Sequence, residues 1–376
     1  MADVFDGVLG QPRVREFFRA TIASGRVSHA YLLTGPAGSS KTSAAYAFAQ
    51  AILCEKNGCG ECDDCVRVLR RRHPDVHYYA PEGAQGYLVE QIREIVSDVS
   101  LAPIRAKRKV YILDRVDLLG TQAANAFLKT LEEPVSGVVF ILLGRTREGV
   151  LPTIVSRCQV VPFRHIPAKE AAGILSQKVG VTPERARMAI EACDGSITQA
   201  ISFAKSSERT EFRARVMEVL ANLRVADARD VLEYAAELIE RAKAPLDNVR
   251  TEQSEELAES ADFLTKTAMR QIELRHKRAL TQATRTSLKQ MTALIRSWLR
   301  DVLMVLSGTP ELVVNIDQRA AIETAAAWVD VEGLMRALRE AYKTDEALSY
   351  NVSPETCLDT LLFTIREVLH GSGNTH

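Results

Sequence analysis

The sequence predicts an α/β domain built on a mostly parallel sheet, followed by an all-α region. Three observations carry this expectation. Short apolar runs alternate with helical patterns through the first 165 residues. A strand, loop and helix around residue 35 have the residues of a phosphate-binding loop. The composition then changes: between Ser196 and Ser307 there is no glycine, and Pro245 is the only proline.

The apolar runs lie at 30–33, 76–79, 110–113, 138–143 and 160–163. Each is four to six residues of β-branched and aromatic type bounded by turn residues, the pattern of buried strands. Strands alternating with helices imply parallel pairing with helices on both faces. A helix is expected over 121–133, with Ala124, Phe127, Leu128 and Leu131 on one face and Pro134 ending it. Residues 167–205 read as a small helical domain with a turn at Asp194-Gly195. The remainder, to about 369, reads as a separate helical bundle. The polar, acid-rich stretch 250–260 reads as a mobile connection, and 371–376 as a frayed tail.

A chain of 376 residues is too long for one compact core, so two or three domains are expected. Lys plus Arg and Asp plus Glu both total 48, so no bulk field draws the chain to nucleic acid or membrane. The acidic start, Met1-Ala-Asp-Val-Phe-Asp6, does not read as a signal peptide, and no run of about 18 apolar residues predicts a membrane span. The expected compartment is the cytoplasm.

The stretch Gly35-Pro-Ala-Gly38-Ser-Ser40-Lys41-Thr42 carries the chemistry of an anion cradle. Glycines let backbone N–H groups curl around a phosphate, and the helix N-terminus adds a positive dipole. Lys41 reaches the outer phosphates, and the Thr42 hydroxyl is the Mg²⁺ ligand. The motif asks for glycine where Ser40 stands, and a Cβ there crowds the loop or demands an unfavourable φ. Occupancy by ATP and Mg²⁺ is therefore open against a fossil loop that keeps only its fold. The strand 110–113 ends in Asp114, placed to hold Mg²⁺ through water. Arg115 follows, where ATP-switch proteins put a water-orienting glutamate, and an arginine cannot act as a base. Asp117 replaces it only if the backbone bends.

Four of the seven cysteines, Cys54, Cys59, Cys62 and Cys65, are spaced C-x4-C-x2-C-x2-C. The short spacings suit tetrahedral sulfur-ligated zinc, with Gly58 and Gly60 permitting the turns. All four ligands come from one segment, which predicts a closed, structural site; the alternative is four reduced thiols. Cys158, Cys193 and Cys357 are isolated.

With these pieces together, the chain resembles the delta-prime family of clamp-loader subunits of bacterial DNA polymerase III, AAA+ proteins related to gamma/tau. The matching stretches are Ser28-His-Ala-Tyr-Leu-Leu-Thr-Gly-Pro36, His73-Pro-Asp75, Gln91-Ile-Arg-Glu94, Ala123-Ala-Asn-Ala-Phe-Leu-Lys-Thr-Leu-Glu-Glu-Pro134 and Leu151-Pro-Thr-Ile-Val-Ser-Arg-Cys158. They cover roughly residues 5–205; the helical C-terminus matches by type only. The resemblance implies a P-loop AAA+ domain with a zinc-binding insertion over 1–165, a helical lid over 166–207 and a C-terminal helical collar for oligomerisation over 208–376.

The family's Ser-Arg-Cys motif falls on Ser156, Arg157 and Cys158. The resemblance implies that Arg157 is an arginine finger acting in trans on ATP bound to the neighbouring subunit, where it offsets charge on the departing phosphoryl group. The motor relative, gamma/tau, has an intact phosphate loop, an Asp-Glu acid pair and a Gly-Ser-x-Arg lid motif. Here the lid reads Gly195-Ser-Ile-Thr198. Departures at Ser40, Arg115 and Thr198 all weaken hydrolysis and leave Arg157 in place. That pattern suits a largely non-hydrolysing stator within a nucleotidyltransferase holoenzyme. Its implied partners are gamma/tau, delta and, through the assembled complex, the sliding clamp and primed DNA. Two competing readings remain: an active gamma/tau-type motor ATPase, and a zinc-dependent nucleic-acid-binding module using the basic runs 67–73 and 105–109.

Overall fold

The computed structural model describes residues 3–83, 86–244, 246, 251, 254, 266–348 and 352–370. Apart from Thr251 and Ser254, the acid-rich connection at 250–260 lies outside the described residues, as does the tail 371–376. The chain forms two compact units. One comprises Met1–Ile174 with Gly195–Gln199; the other comprises Leu175–Asp194 with Ala200–His376.

The first unit is a five-stranded sheet. Its strands are β1 (Ala30–Thr34), β2 (Val76–Tyr79), β3 (Lys109–Leu113), β4 (Val138–Gly144) and β5 (Gln159–Pro162). They pair in the order β2-β3-β4-β1-β5, every pair parallel. The expected α/β class and all five expected strands are therefore present, with bounds shifted by a residue at most. β1, β3 and β4 are buried along their whole length, as strands covered on both faces must be, while the edge strands β2 and β5 are only partly buried.

Alternation along the strands feeds two cores. Tyr31 and Leu33 of β1 face one, with Phe18 and Phe48. Ala30 and Leu32 face the other, with Phe127 and Phe140. Phe18 and Phe48 stack at 4.2 Å between centroids, and Tyr31 meets Phe48 edge-on at 4.9 Å.

Around the sheet run α1 (Pro12–Ala23), α2 (Lys41–Leu53), α3 (Asp63–Leu69), α4 (Val89–Val99), α5 (Thr121–Glu132) and the short α6 (Pro152–Val155). On α5 the expected face is the buried one: Ala124, Phe127 and Leu131 are covered, and Leu128 packs against them partly buried. β1 lies between β4 and β5, so the loop after it leaves from inside the sheet. Asp114 and Arg145 leave from the same edge, at the ends of β3 and β4. The carboxyl ends of such strands form a crevice, the usual ligand position in an open parallel sheet.

The second unit is helical, as its composition predicts. Its long members are Ser207–Asn222, Ala228–Lys243, Lys266–Leu306, Val331–Ala347 and Pro354–His370. The glycine-free composition is what lets Lys266–Leu306 continue unbroken for 41 residues. A buried polar web pins the turn after it. Asp301 accepts from Val314 N at 3.1 Å and Asn315 N at 2.7 Å, and Arg213 grips Asp317 through two bonds of 2.7 and 2.8 Å. Among the described residues, no helix is long and apolar enough to cross a membrane.

Candidate functional site

The phosphate loop joins β1 to α2. Ser40 caps α2 in the left-handed region, φ 68° and ψ 19°. This is the conformation glycine adopts without cost, so the departure seen in sequence falls on a position whose backbone still asks for glycine. Buried Gln11 fixes the loop from below: its Nε2 donates to Ser39 O at 3.2 Å and to Arg164 O at 2.8 Å. Lys41 folds back on its own loop and donates to Gly35 O at 2.5 Å, Pro36 O at 2.7 Å and Ser39 Oγ at 3.3 Å. Burial pushes its ammonium down to about 8, against the pull of Asp114 and Asp117. Gly38 adopts φ 75°, and Thr42, half-buried, follows Lys41 into α2. Lys41 and Asp114 lie near enough for the charge of each to act on the other.

Asp114 is engaged by its own chain. Tyr78 Oη donates to its Oδ2 at 2.7 Å and Arg115 N to its Oδ1 at 2.9 Å. Tyr87 Oη donates to its carbonyl at 2.6 Å. Burial pushes the Asp114 carboxyl above its ordinary value, with these donors opposing. Arg115 sits at φ 53° and ψ 48°, and a 3₁₀ turn over Val116–Leu118 follows. The backbone does bend here, and the bend delivers Asp117 to Arg145, whose N–H donates to Asp117 Oδ1 at 3.3 Å. Thr198 Oγ1 lies 3.0 Å from Ser43 Oγ, one residue past Thr42.

Arg157 follows α6. Its Nη1 donates to Thr153 O at 2.8 Å and Ser156 Oγ at 3.2 Å, and its Nη2 to Glu132 Oε1.

The four cysteines converge. Their sulfurs all lie within 4.8 Å of one another, with Cys54–Cys59 at 3.7 Å and Cys54–Cys62 at 3.6 Å. Backbone N–H groups point at three of them: Lys56 N to Cys54 at 3.3 Å, Cys62 N to Cys59 at 3.4 Å and Cys65 N to Cys62 at 3.4 Å. The N–H groups of Glu61 and Cys62 push the Cys59 thiol down to about 6, while burial pushes Cys65 up. Gly58 and Gly60 both take positive φ, 94° and 78°, as the spacing requires.

The basic runs are largely spent on structure. Arg105 pairs with Asp64 through Nε and with Asp63 through Nη2, both at 2.6 Å, and Arg67 pairs with Asp63 at 2.8 Å. Buried Lys109 donates to Asp98 O at 3.0 Å. Arg71 stacks over Tyr46 at 4.9 Å, and His73 is buried.

Several working residues escape the sequence reading. Tyr78 and Tyr87 hold Asp114, Glu132 holds Arg157, and Asp75 braces the segment before β3. The fully buried Asp75 carboxylate accepts from Ile104 N at 2.6 Å and from Arg105 N and Ala106 N at 2.8 Å each. Asp75 and Glu132 each fall in a stretch quoted for the family resemblance, but neither is given a role there.

The model of the family described as "DNA polymerase III, delta subunit" matches residues 10–167. DNA polymerase III subunit delta' of Bacillus subtilis is 32% identical over 212 residues, 56% of this chain and 64% of that protein. Subunit tau of the same organism is 31% identical over 266 residues, 64% of this chain and 47% of that protein. Subunit delta' of Pseudomonas aeruginosa is 39% identical over 136 residues, 35% of this chain and 42% of that protein. The chain thus spans less than two thirds of each of these relatives. The phosphate loop, the four cysteines and Arg157 all fall inside the matched stretch, and over that stretch the chain is similar to DNA polymerase III subunits of the delta' and tau type.

Proposed function

We propose that the chain is a delta'-type stator of a bacterial clamp loader. It hydrolyses ATP little or not at all and lends Arg157 to ATP bound by a neighbouring subunit. The observation that carries this is the internal satisfaction of the hydrolytic groups. Lys41 is spent on Gly35 O and Pro36 O, both Asp114 oxygens have protein donors, and Arg115 stands where a base belongs. Nucleotide binding through Gly35, Gly38, Ser40, Lys41, Thr42 and Asp114 would require those bonds to open.

Arg157 supports the other half of the reading. It is partly exposed just past the end of a short helix, and it bonds to Thr153, Ser156 and Glu132, none of them a phosphate-loop residue. An arginine delivered to a neighbour's γ-phosphate offsets charge as it develops, without needing the donor subunit to hydrolyse anything. The partners on this reading are gamma/tau and delta, with the sliding clamp and primed DNA reached through the assembled complex in the cytoplasm. Residues 166–207 serve as the lid and 208–376 as the oligomerising collar.

We also propose that the four cysteines hold a structural zinc ion. Tetrahedral zinc with Zn–S bonds of about 2.3 Å sets its sulfurs about 3.8 Å apart. The two sulfur separations of 3.6 and 3.7 Å fit this, and the N–H···S bonds suit thiolate ligands. Such an ion cross-links α2 to α3 and leaves no open position for chemistry.

ATP turnover by the purified chain tests the stator reading against the motor alternative. Turnover at or near background is expected; robust turnover that survives stringent purification favours a gamma/tau-type motor.

A further inference from the structure

We propose that Glu132 parks Arg157: its carboxylate holds the guanidinium in the free subunit and must yield before Arg157 reaches a neighbouring nucleotide. This inference rests on the finger reading above.

A guanidinium carries five N–H donors. Both Nη1 donors of Arg157 are spent on its own chain, on Thr153 O and Ser156 Oγ. Nη2 is paired with Glu132 Oε1, and Nε is buried without an acceptor. A single Nη2 donor is left over. Bidentate recognition of a phosphate needs two parallel donors on one edge of the guanidinium, so this arginine cannot present its fork while Glu132 stays in place. The carboxylate adds a second barrier, because its negative charge beside the guanidinium repels an incoming phosphate.

The two partners come from different parts of the chain. Glu132 is the last residue of α5, and Arg157 follows α6, 25 residues on. Both are solvent-accessible, with side-chain exposures of 30% for Arg157 and 48% for Glu132. An exposed ion pair holds its partners weakly, so parked and free forms interconvert and a multiply charged phosphate can displace the carboxylate. A finger that is competent for part of the time delivers only that part of its rate. Glu132 is therefore a positioning residue that sets how readily the finger engages.

Two measurements test this. In the free chain, phenylglyoxal labelling of Arg157, read by peptide mass spectrometry, should run about two- to fivefold faster in Glu132→Gln than in the unmodified protein. Added salt should narrow the gap, because it screens the pair. In the reconstituted complex, Glu132→Gln should raise DNA-stimulated ATP hydrolysis at saturating ATP by a similar factor. Combined with Arg157→Ala it should add nothing. Glu133→Gln, a neighbouring exposed carboxylate, should change neither readout. Labelling that does not change, turnover in Glu132→Gln that is unchanged or slower, or a gain that persists without Arg157 overturns the parking role. If labelling changes as expected but Arg157→Ala alone hydrolyses at the unmodified rate, the finger reading falls and the Glu132 contact becomes a purely local one.

Discussion

Tyr78 donates its hydroxyl to Asp114 Oδ2 at 2.7 Å, from the end of β2 to the residue that follows β3. The two strands pair with Tyr79 opposite Leu113, so Tyr78 and Asp114 are near neighbours across the sheet. The carboxylate that would hold a metal-bound water in a hydrolysing relative is here a partner of a half-buried phenol. Both groups lie deep enough that burial pushes each one's pKa up.

Tyr78→Phe leaves Asp114 Oδ2 without that donor. A fully buried acceptor left unsatisfied costs about 1–3 kcal/mol, so this half-buried one should cost toward the lower end, which thermal unfolding should register as a lower Tm. Asp114→Asn should behave differently. The folded carboxyl titrates above its ordinary value, so its proton favours the folded state. The stability it contributes is present at low pH and is lost as pH rises through that raised value. An amide does not titrate, so Tm should fall less between acid and neutral pH in Asp114→Asn than in the unmodified chain. An equal or steeper fall contradicts the assignment.

Asp75 should be a stability residue with no direct role in turnover. Its carboxylate collects three backbone N–H groups from 104–106 while fully buried. Asp75→Ala strands all three donors and should cost at least about 3 kcal/mol, seen as a lower denaturant midpoint. Asp75→Asn keeps an acceptor but loses its charge, and should fall between the two. A midpoint unchanged in Asp75→Ala would refute the brace.

The cysteine module should carry one zinc ion per chain by elemental analysis. Cys59→Ser or Cys62→Ser should abolish stoichiometric metal and lower Tm, and a strong chelator should lower the Tm of the unmodified protein only. Because thiolates must be freed of protons to bind metal, loss of zinc should become easier as pH falls. Metal-free protein whose Tm ignores chelator would point instead to four reduced thiols held close by the turns at Gly58 and Gly60.

What was legible in the sequence follows from range. β1, β3 and β4 are continuous apolar runs because helices cover both of their faces, so burial wrote them into local composition. The cysteine spacing was equally legible, because all four sulfurs come from one short segment. Ser40 also kept its meaning: the left-handed backbone is a property of the loop itself. The partners that decide the state of the site were not legible. Tyr78 reaches Asp114 across 36 residues and Glu132 reaches Arg157 across 25, and no periodicity records such a meeting. The ion pairs of the basic runs were hidden for the same reason. Arg105 pairs with Asp64 and Lys109 donates to Asp98 O, partners that lie elsewhere in the chain.

Arg157 carries the last prediction. Its side chain is partly exposed and held only by local acceptors and Glu132, so Arg157→Ala should leave folding and subunit assembly intact. In the reconstituted complex it should lower DNA-stimulated ATP hydrolysis and clamp loading. A finger completing a phosphoryl-transfer site is worth about 10³–10⁵ in rate where it acts alone on one nucleotide. In a ring with several ATP sites the loss should be smaller overall and confined to the site this subunit borders. The effect should fall on kcat more than on KM for ATP, because the contact strengthens as charge develops on the transferring group. Arg157→Lys should rescue only in part, since an ammonium supplies charge without the planar fork. Arg115→Glu makes the complementary control: with Ser40 and Thr198 unchanged, it should not confer turnover on the isolated chain. If a complex carrying Arg157→Ala assembles normally and loads clamps at the unmodified rate, the proposed finger role falls and Arg157 is a surface residue paired with Glu132.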